Sequence, residues 1–213
     1  MGNEITLYHY WRSSASWRVR WGLEIKKVPH QKIAVDLLTS QEKNQDYLKR
    51  NPAGYVPCLI AGKNPPLGES LAILHWLEEN YPKPSFFTGD SFLRARICQL
   101  AETVNAGIQP LQNLDVTKKI SDDKEKQAEW TRHWIQRGMQ VYENILSSID
   151  RKGCKFSVSD QPTLADLCLI PQCYSTLRFG VDLKQFPQCK AIYEHALATP
   201  ECKASAPEAF QPK

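Results

Sequence analysis

Two hydrophobic periods share the first part of the chain, and only one of them continues into the second. Ile5 and Leu7, with the aromatics Tyr8 and Tyr10, predict an opening strand, and Ala15, Val19, Gly22 and Leu23 then repeat at helical spacing. That helix should run from about Ser14 to Lys26 and stop at Val28-Pro29. Ile33 and Val35, within His30 to Asp36, offer a second strand. A strand, a helix and a strand in that order predict two parallel strands with a crossover between them. A polar helix around Gln41 to Arg50 leads to Asn51-Pro52-Ala53-Gly54-Tyr55-Val56-Pro57, a loop by its Pro and Gly content. Cys58 to Ala61 reads as a short buried strand, with another around Leu67. Glu69-Ser70 then begins a helix with Leu71, Leu74 and Leu77 on one face, and Asn80-Tyr81-Pro82-Lys83-Pro84 marks a domain boundary.

Beyond about residue 88 no strand pattern remains. Leu93, Ile97, Leu100, Val104 and Ile108 predict a helix from Ser91 to Leu114 that Pro110 interrupts. The charged run Lys118 to Lys126 reads as a solvated connection leading into a further helix. Trp130, Trp134, Val141, Ile145 and Ile149 form the stripe expected to face the core there. Thr163-Leu164-Ala165-Asp166 before an apolar run is a capping-box start, with Asp166 reaching back to the Thr163 N–H. Arg178 and Phe179 follow that helix, Tyr193 to Leu197 suggests a last one, and the tail from Pro207 reads as loose. The expected fold class is therefore α/β plus all-α, with domains at 1–82 and 88–213.

Composition narrows the function without naming it. The 213 residues, 42% of them hydrophobic, are enough for one large domain or two modest ones with real cores. The net charge of +4 is spread among acidic residues, not gathered into a stripe, which argues against nucleic acid. Seven cysteines, an odd number without C-x-x-C pairing and with no secretory signal before them, predict a cytoplasmic protein with free thiols. The five histidines form no metal-binding pattern, and no apolar run approaches the roughly 18 residues of a membrane helix.

The candidate chemistry lies in Arg12-Ser13-Ser14-Ala15-Ser16-Trp17-Arg18-Val19-Arg20, which places serines at a helix N-terminus. The unpaired N–H groups and the dipole there stabilise an anion or a thiolate, although one serine could serve only as an N-cap. Glu69 and Ser70 make a second such site, and they too could simply complement their helix. No Gly-rich loop joins the first strand to its helix, so a nucleotide is a poor fit.

The order of these elements resembles a glutathione transferase: a thioredoxin-like glutathione domain followed by a helical bundle domain. Ser13 to Arg20, Gly107-Ile108-Gln109-Pro110-Leu111-Gln112-Asn113-Leu114, Ala165 to Gln172, and Arg178-Phe179 with Val181-Asp182-Leu183 are similar to the zeta class, which contains the maleylacetoacetate isomerases. The resemblance implies glutathione as cofactor, with Ser13 the first choice for the hydroxyl on its sulfur and Ser14 a rival. It also implies that Val56, before a cis Pro57, pairs with the cysteinyl backbone, and that Glu69 and Ser70 hold the γ-glutamyl end. Gln45 would approach the glycyl end, while Gln109 and Asn113 would contribute from the helical domain. Arg18 and Arg178 would anchor a small dicarboxylate substrate and stabilise its enolate charge, with a surface or dimer-facing charge the alternative for Arg18. The implied reaction converts maleylacetoacetate to fumarylacetoacetate by thiolate addition, rotation and elimination, within tyrosine and phenylalanine catabolism, in a homodimer. Ala15 departs from the class, which often carries Cys there, so side activities needing that thiol are not expected. Alternatives are a maleylpyruvate isomerase, a broad transferase or α-haloacid dehalogenase, and a transferase-like protein-interaction module without catalysis.

Overall fold

The computed structural model describes residues 4–212, which divide into two units: the chain up to Ser85 together with the segment from Pro200 onward, and Phe86–Thr199. In the first unit, strand β1 (Ile5–His9) alternates buried and half-buried positions, with Ile5, Leu7 and His9 inward. It sits at the centre of a sheet of order β2-β1-β3, where β2 (Gln31–Ala34) is parallel to it and β3 (Cys58–Ala61) antiparallel. Helix α1 (Ser14–Ile25) makes the crossover and is buried almost all round. It packs on α3 (Ser70–Asn80) and on α9 (Pro200–Ser205). This is the expected thioredoxin-like arrangement, and it brings the starts of α1 and α3 into one unit.

Three local expectations need correction here. The helix expected from Gln41 to Arg50 is a 3-10 turn, Gln41–Lys43, followed by the single-turn α2 (Gln45–Leu48). Leu67 forms only one isolated bridge, to Leu59, and no strand of its own. The tail from Pro207 is not loose: Pro207–Phe210 forms a 3-10 turn, and the Phe210 ring lies edge-on to His9 with centroids 5.2 Å apart. Helix α9 and the segment after it fall in the first unit, with the chain up to Ser85.

The second unit holds helices α4 (Ser91–Asn105), α5 (Leu114–Ile120), α6 (Lys124–Ser147), α7 (Leu164–Arg178) and α8 (Pro187–Ala198). The Asp166 carboxylate accepts from the N–H groups of Ser157 at 2.7 Å and Thr163 at 2.8 Å, the cap expected at the start of α7. Helix α4 stops before Pro110, and Gln109–Gln112 forms a 3-10 turn. Lys118 and Lys119 lie inside α5, in its last turn, where cations complement the helix dipole. The core stripe of α6 is Ile135, Met139, Tyr142 and Leu146, whereas Trp130 and Trp134 are only half-buried and Val141 is exposed. The two tryptophans instead flank that stripe, edge to face at 5.6 Å, with Arg137 over the Trp134 ring.

Candidate active site

Of the three serines at the start of α1, each has a different environment. Ser16 is buried, and its Oγ accepts from the Tyr10 N–H at 3.4 Å, so it braces the turn and faces no ligand. Ser13 is the N-cap, extended at φ −69° and ψ 121°, and its Oγ accepts from the Ser16 N–H at 3.1 Å. That bond uses a lone pair and leaves the hydroxyl proton free to be donated. Ser14 is the first helical residue, half-buried, and its hydroxyl bonds to no described residue. The cap and the thiol donor are thus compatible roles for Ser13, and the N–H groups of the first turn lie beside it without intrahelical acceptors.

Arg18 requires a correction. Its side chain is only 1% exposed, and Nη1 donates to Ser70 Oγ at 3.2 Å. A guanidinium buried in this way is neither a surface charge nor, in this conformation, an anchor reaching out to a dicarboxylate. It is a cation set behind the N-terminus of α3, where it makes that terminus more attractive to an anion.

Glu69, immediately before α3, has φ 62° and ψ 115°, a conformation that L-residues rarely hold. Such a backbone costs about 1–3 kcal/mol and persists only where its surroundings impose it. Its side chain makes no cap bond and is exposed, so the carboxylate stands free for a cation while the buried Ser70 hydroxyl lies one residue on.

Between these two helix starts runs the loop before β3. The Val56–Pro57 bond is cis, as expected. The Tyr55 carbonyl accepts from the Tyr47 hydroxyl at 2.7 Å and from Asn51 Nδ2 at 2.8 Å. Asn51 Oδ1 in turn accepts from the Ala53 N–H at 3.2 Å. Neither backbone polar group of Val56 bonds to another described residue, which leaves both open to an extended peptide. Asn51 is legible in the sequence as a turn residue before Pro52, whereas no sequence signal marks Tyr47 for this role. Burial pushes the neighbouring Cys58 thiol up to about 11, so this cysteine is a packing residue and no nucleophile. Gln45 is exposed at the first position of α2.

In the second unit, Gln109 opens the 3-10 turn and Asn113 caps α5, its Oδ1 accepting from the Asp115 N–H at 3.2 Å. Asn113 keeps its amide N–H groups for other partners. Gln112 Nε2 donates to Gln172 Oε1 at 2.7 Å, which ties this turn to α7. Arg178 is the last residue of α7, exposed, with its guanidinium 4.8 Å from the Phe179 ring centroid. Among the described residues no cluster of His, Cys, Asp and Glu could hold a metal ion. No described helix is long and apolar enough to cross a membrane.

Both parts of the chain resemble known proteins. Residues 7–85 match the glutathione S-transferase N-terminal domain and residues 109–204 the C-terminal domain. The chain is 39% identical to the maleylacetoacetate isomerase of Dictyostelium discoideum, over 97% of this chain and 94% of that one. Among solved structures, a bacterial zeta-class maleylpyruvate isomerase in its holo form superposes with a TM-score of 0.91 at 35% identity, covering 98% of this chain and 99% of the other. A maleylacetoacetate isomerase from Anaeromyxobacter dehalogenans with glutathione in its active site gives a TM-score of 0.87 at 38% identity, covering 100% and 99%.

Proposed function

The chain belongs to the glutathione S-transferase family, and from that premise we propose that it is a glutathione-dependent isomerase converting maleylacetoacetate to fumarylacetoacetate. One observation carries the reading. The hydrogen bond from Arg18 to Ser70 joins α1 to the start of α3, so hydroxyl donors for a sulfur and a carboxylate-binding terminus belong to one unit. The free backbone of Val56 lies in the same unit. This donor set fits the tripeptide: Ser13 or Ser14 for the thiolate, Val56 for the cysteinyl backbone, Glu69 for the ammonium and Ser70 for the γ-glutamyl carboxylate.

Glutathione, when bound, supplies a thiolate that adds reversibly to the cis double bond of the acceptor and is released unchanged after rotation. The chain's task is to keep that thiol ionised. Lowering a thiol from about 8.5 by about 2 units demands roughly 2.7 kcal/mol of preferential stabilisation. One hydroxyl donor to a charged acceptor contributes about 1.5–3 kcal/mol and a helix N-terminus about 0.3–1 kcal/mol. The start of α1 therefore suffices without a cationic partner on the sulfur. Arg18 acts from behind Ser70 on the glutathione side, and the family likeness supports Arg178, exposed at the end of α7, as the cation for the acceptor's carboxylate. Gln109 and Asn113 add polar groups from the helical domain, and Gln45 serves the glycyl end.

Assays of maleylacetoacetate and of maleylpyruvate, each with and without glutathione, test the proposal. Turnover of neither substrate by protein that still binds glutathione overturns it. Maleylpyruvate is the second reading, favoured by the likeness to the zeta-class maleylpyruvate isomerase. Arg178→Ala should raise the acceptor KM at least about tenfold, the loss of one charge-assisted hydrogen bond, and leave the glutathione KM within about twofold. The family likeness further supports a cytoplasmic homodimer working in tyrosine and phenylalanine breakdown.

A further inference from the structure

We infer that Arg20 is a positioning residue for the thiol site, clamping the loop that delivers Ser13 and fastening it to the C-terminal segment. The inference rests on the functional reading above and concerns the thiol side of that site. Arg20 is fully buried in α1, and its guanidinium divides its donors among groups from both ends of the chain. Nε donates to the Ser205 carbonyl at 2.8 Å. Nη1 donates to the Tyr10 carbonyl at 3.2 Å and to His9 Nδ1 at 3.2 Å, and Nη2 to the Trp11 carbonyl at 3.0 Å. The Phe210 ring covers the guanidinium, 4.8 Å from Cζ.

The Tyr10 carbonyl is the decisive atom. It also accepts the N–H of Ser13 at 3.2 Å, so Arg20 and the site serine meet on one oxygen. Tyr10 and Trp11 form the short connection from β1 to the cap of α1, and Arg20 holds the carbonyls of both. Its anchor on the far side is α9, itself fixed by the hydrogen bond from Trp17 Nε1 to Ser205 Oγ at 3.1 Å. Because arginine only donates, His9 Nδ1 is the acceptor of that bond and its imidazole is neutral. Burial first, and Arg20 second, hold His9 down at about 3, which agrees with a neutral ring. Burial lowers the guanidinium only to about 9, with Glu208 opposing, so it stays charged at neutral pH. The residues from Pro200 onward are in this way part of the thiol site's support.

The readout is the pKa of the glutathione thiol in the binary complex, followed by ultraviolet absorbance of the thiolate. Arg20→Lys keeps the charge and loses the planar fork, so it cannot hold the Ser205, Tyr10 and Trp11 carbonyls together. The variant should raise the bound thiol pKa by about 1 unit and lower kcat about tenfold, with the glutathione KM changed less than about threefold. In a Ser13→Ala background the same substitution should add almost nothing to the thiol pKa, because both changes act through one group. Ser205→Ala, which loosens the anchor and spares the guanidinium, should shift the pKa in the same direction by less. It decides the matter if Arg20→Lys does not fold. A wild-type thiol pKa in Arg20→Lys or, failing that, in Ser205→Ala overturns the inference, as does full additivity with Ser13→Ala. If the wild type isomerises neither acceptor while the thiol pKa responds as stated, the functional reading fails and the role of Arg20 stands.

Discussion

At the scale of the residue, the site is built from side chains that obey one local rule and break another. Ser13 caps its helix as a serine should and still keeps a proton to donate. Glu69 breaks the backbone rule, holding φ at 62° where glycine would rest without strain. Glu69→Gly should therefore stabilise the fold by about 1 kcal/mol while removing the carboxylate proposed for the γ-glutamyl ammonium. Denaturant unfolding and the glutathione KM measured on one preparation check both halves. A loss of stability, or an unchanged KM, would show that the strain serves no ligand. The buried arginines were the part of the site least legible beforehand. Charged residues are almost never fully buried unless paired, and one acceptor of each, Ser70 for Arg18 and the Ser205 carbonyl for Arg20, lies far along the chain.

At the scale of the element, close packing in the second unit turns on a helical glycine. A Cβ on Gly138 of α6 would come within 2.2 Å of Ile108 Cγ1, in a side chain that is itself fully buried. Alanine gains about 1 kcal/mol of helix propensity, but overpacking costs about 1–3 kcal/mol. Gly138→Ala should thus be net destabilising, and a rise in the denaturant midpoint would refute the close approach. Much of the element order could be read from the sequence. The β1–α1–β2 unit, β3, the start of α3 and the Asp166 cap each rest on local signals of period or capping. The stripe of α6 could not be read in the same way, because Trp130 and Trp134 outweighed Ile135, Met139, Tyr142 and Leu146, although the smaller residues fill the interior. The tail misled for a related reason. Its proline suggested a loose end, but its Phe210 ring lies against His9 of β1 and the Arg20 guanidinium of α1, from the other end of the sequence.

At the scale of the whole molecule, the first unit is closed by its own C-terminal segment, and that closure should be sensitive to pH. His9 falls from its ordinary 6.5 to about 3 in the folded state, through burial and then Arg20. The unfolded chain therefore binds the extra proton between those two values. The stabilisation is fully present above pH 6.5 and is lost as pH falls toward 3. Thermal unfolding followed from pH 7 to 4 should show a falling Tm, and His9→Gln should flatten that slope. An equal slope in the variant would assign the effect to other groups. Whether the start of α1 ionises a glutathione thiol for use on a second substrate is decided by titrating the thiolate absorbance of glutathione bound to the wild type, Ser13→Ala and Ser14→Ala proteins. The wild type should hold the thiol about 2 units below its free value of about 8.5, and Ser13→Ala should restore most of that difference. Loss in Ser14→Ala alone would move the donor by one residue. A bound thiol that titrates at its free value, or one indifferent to both serines, would contradict the account.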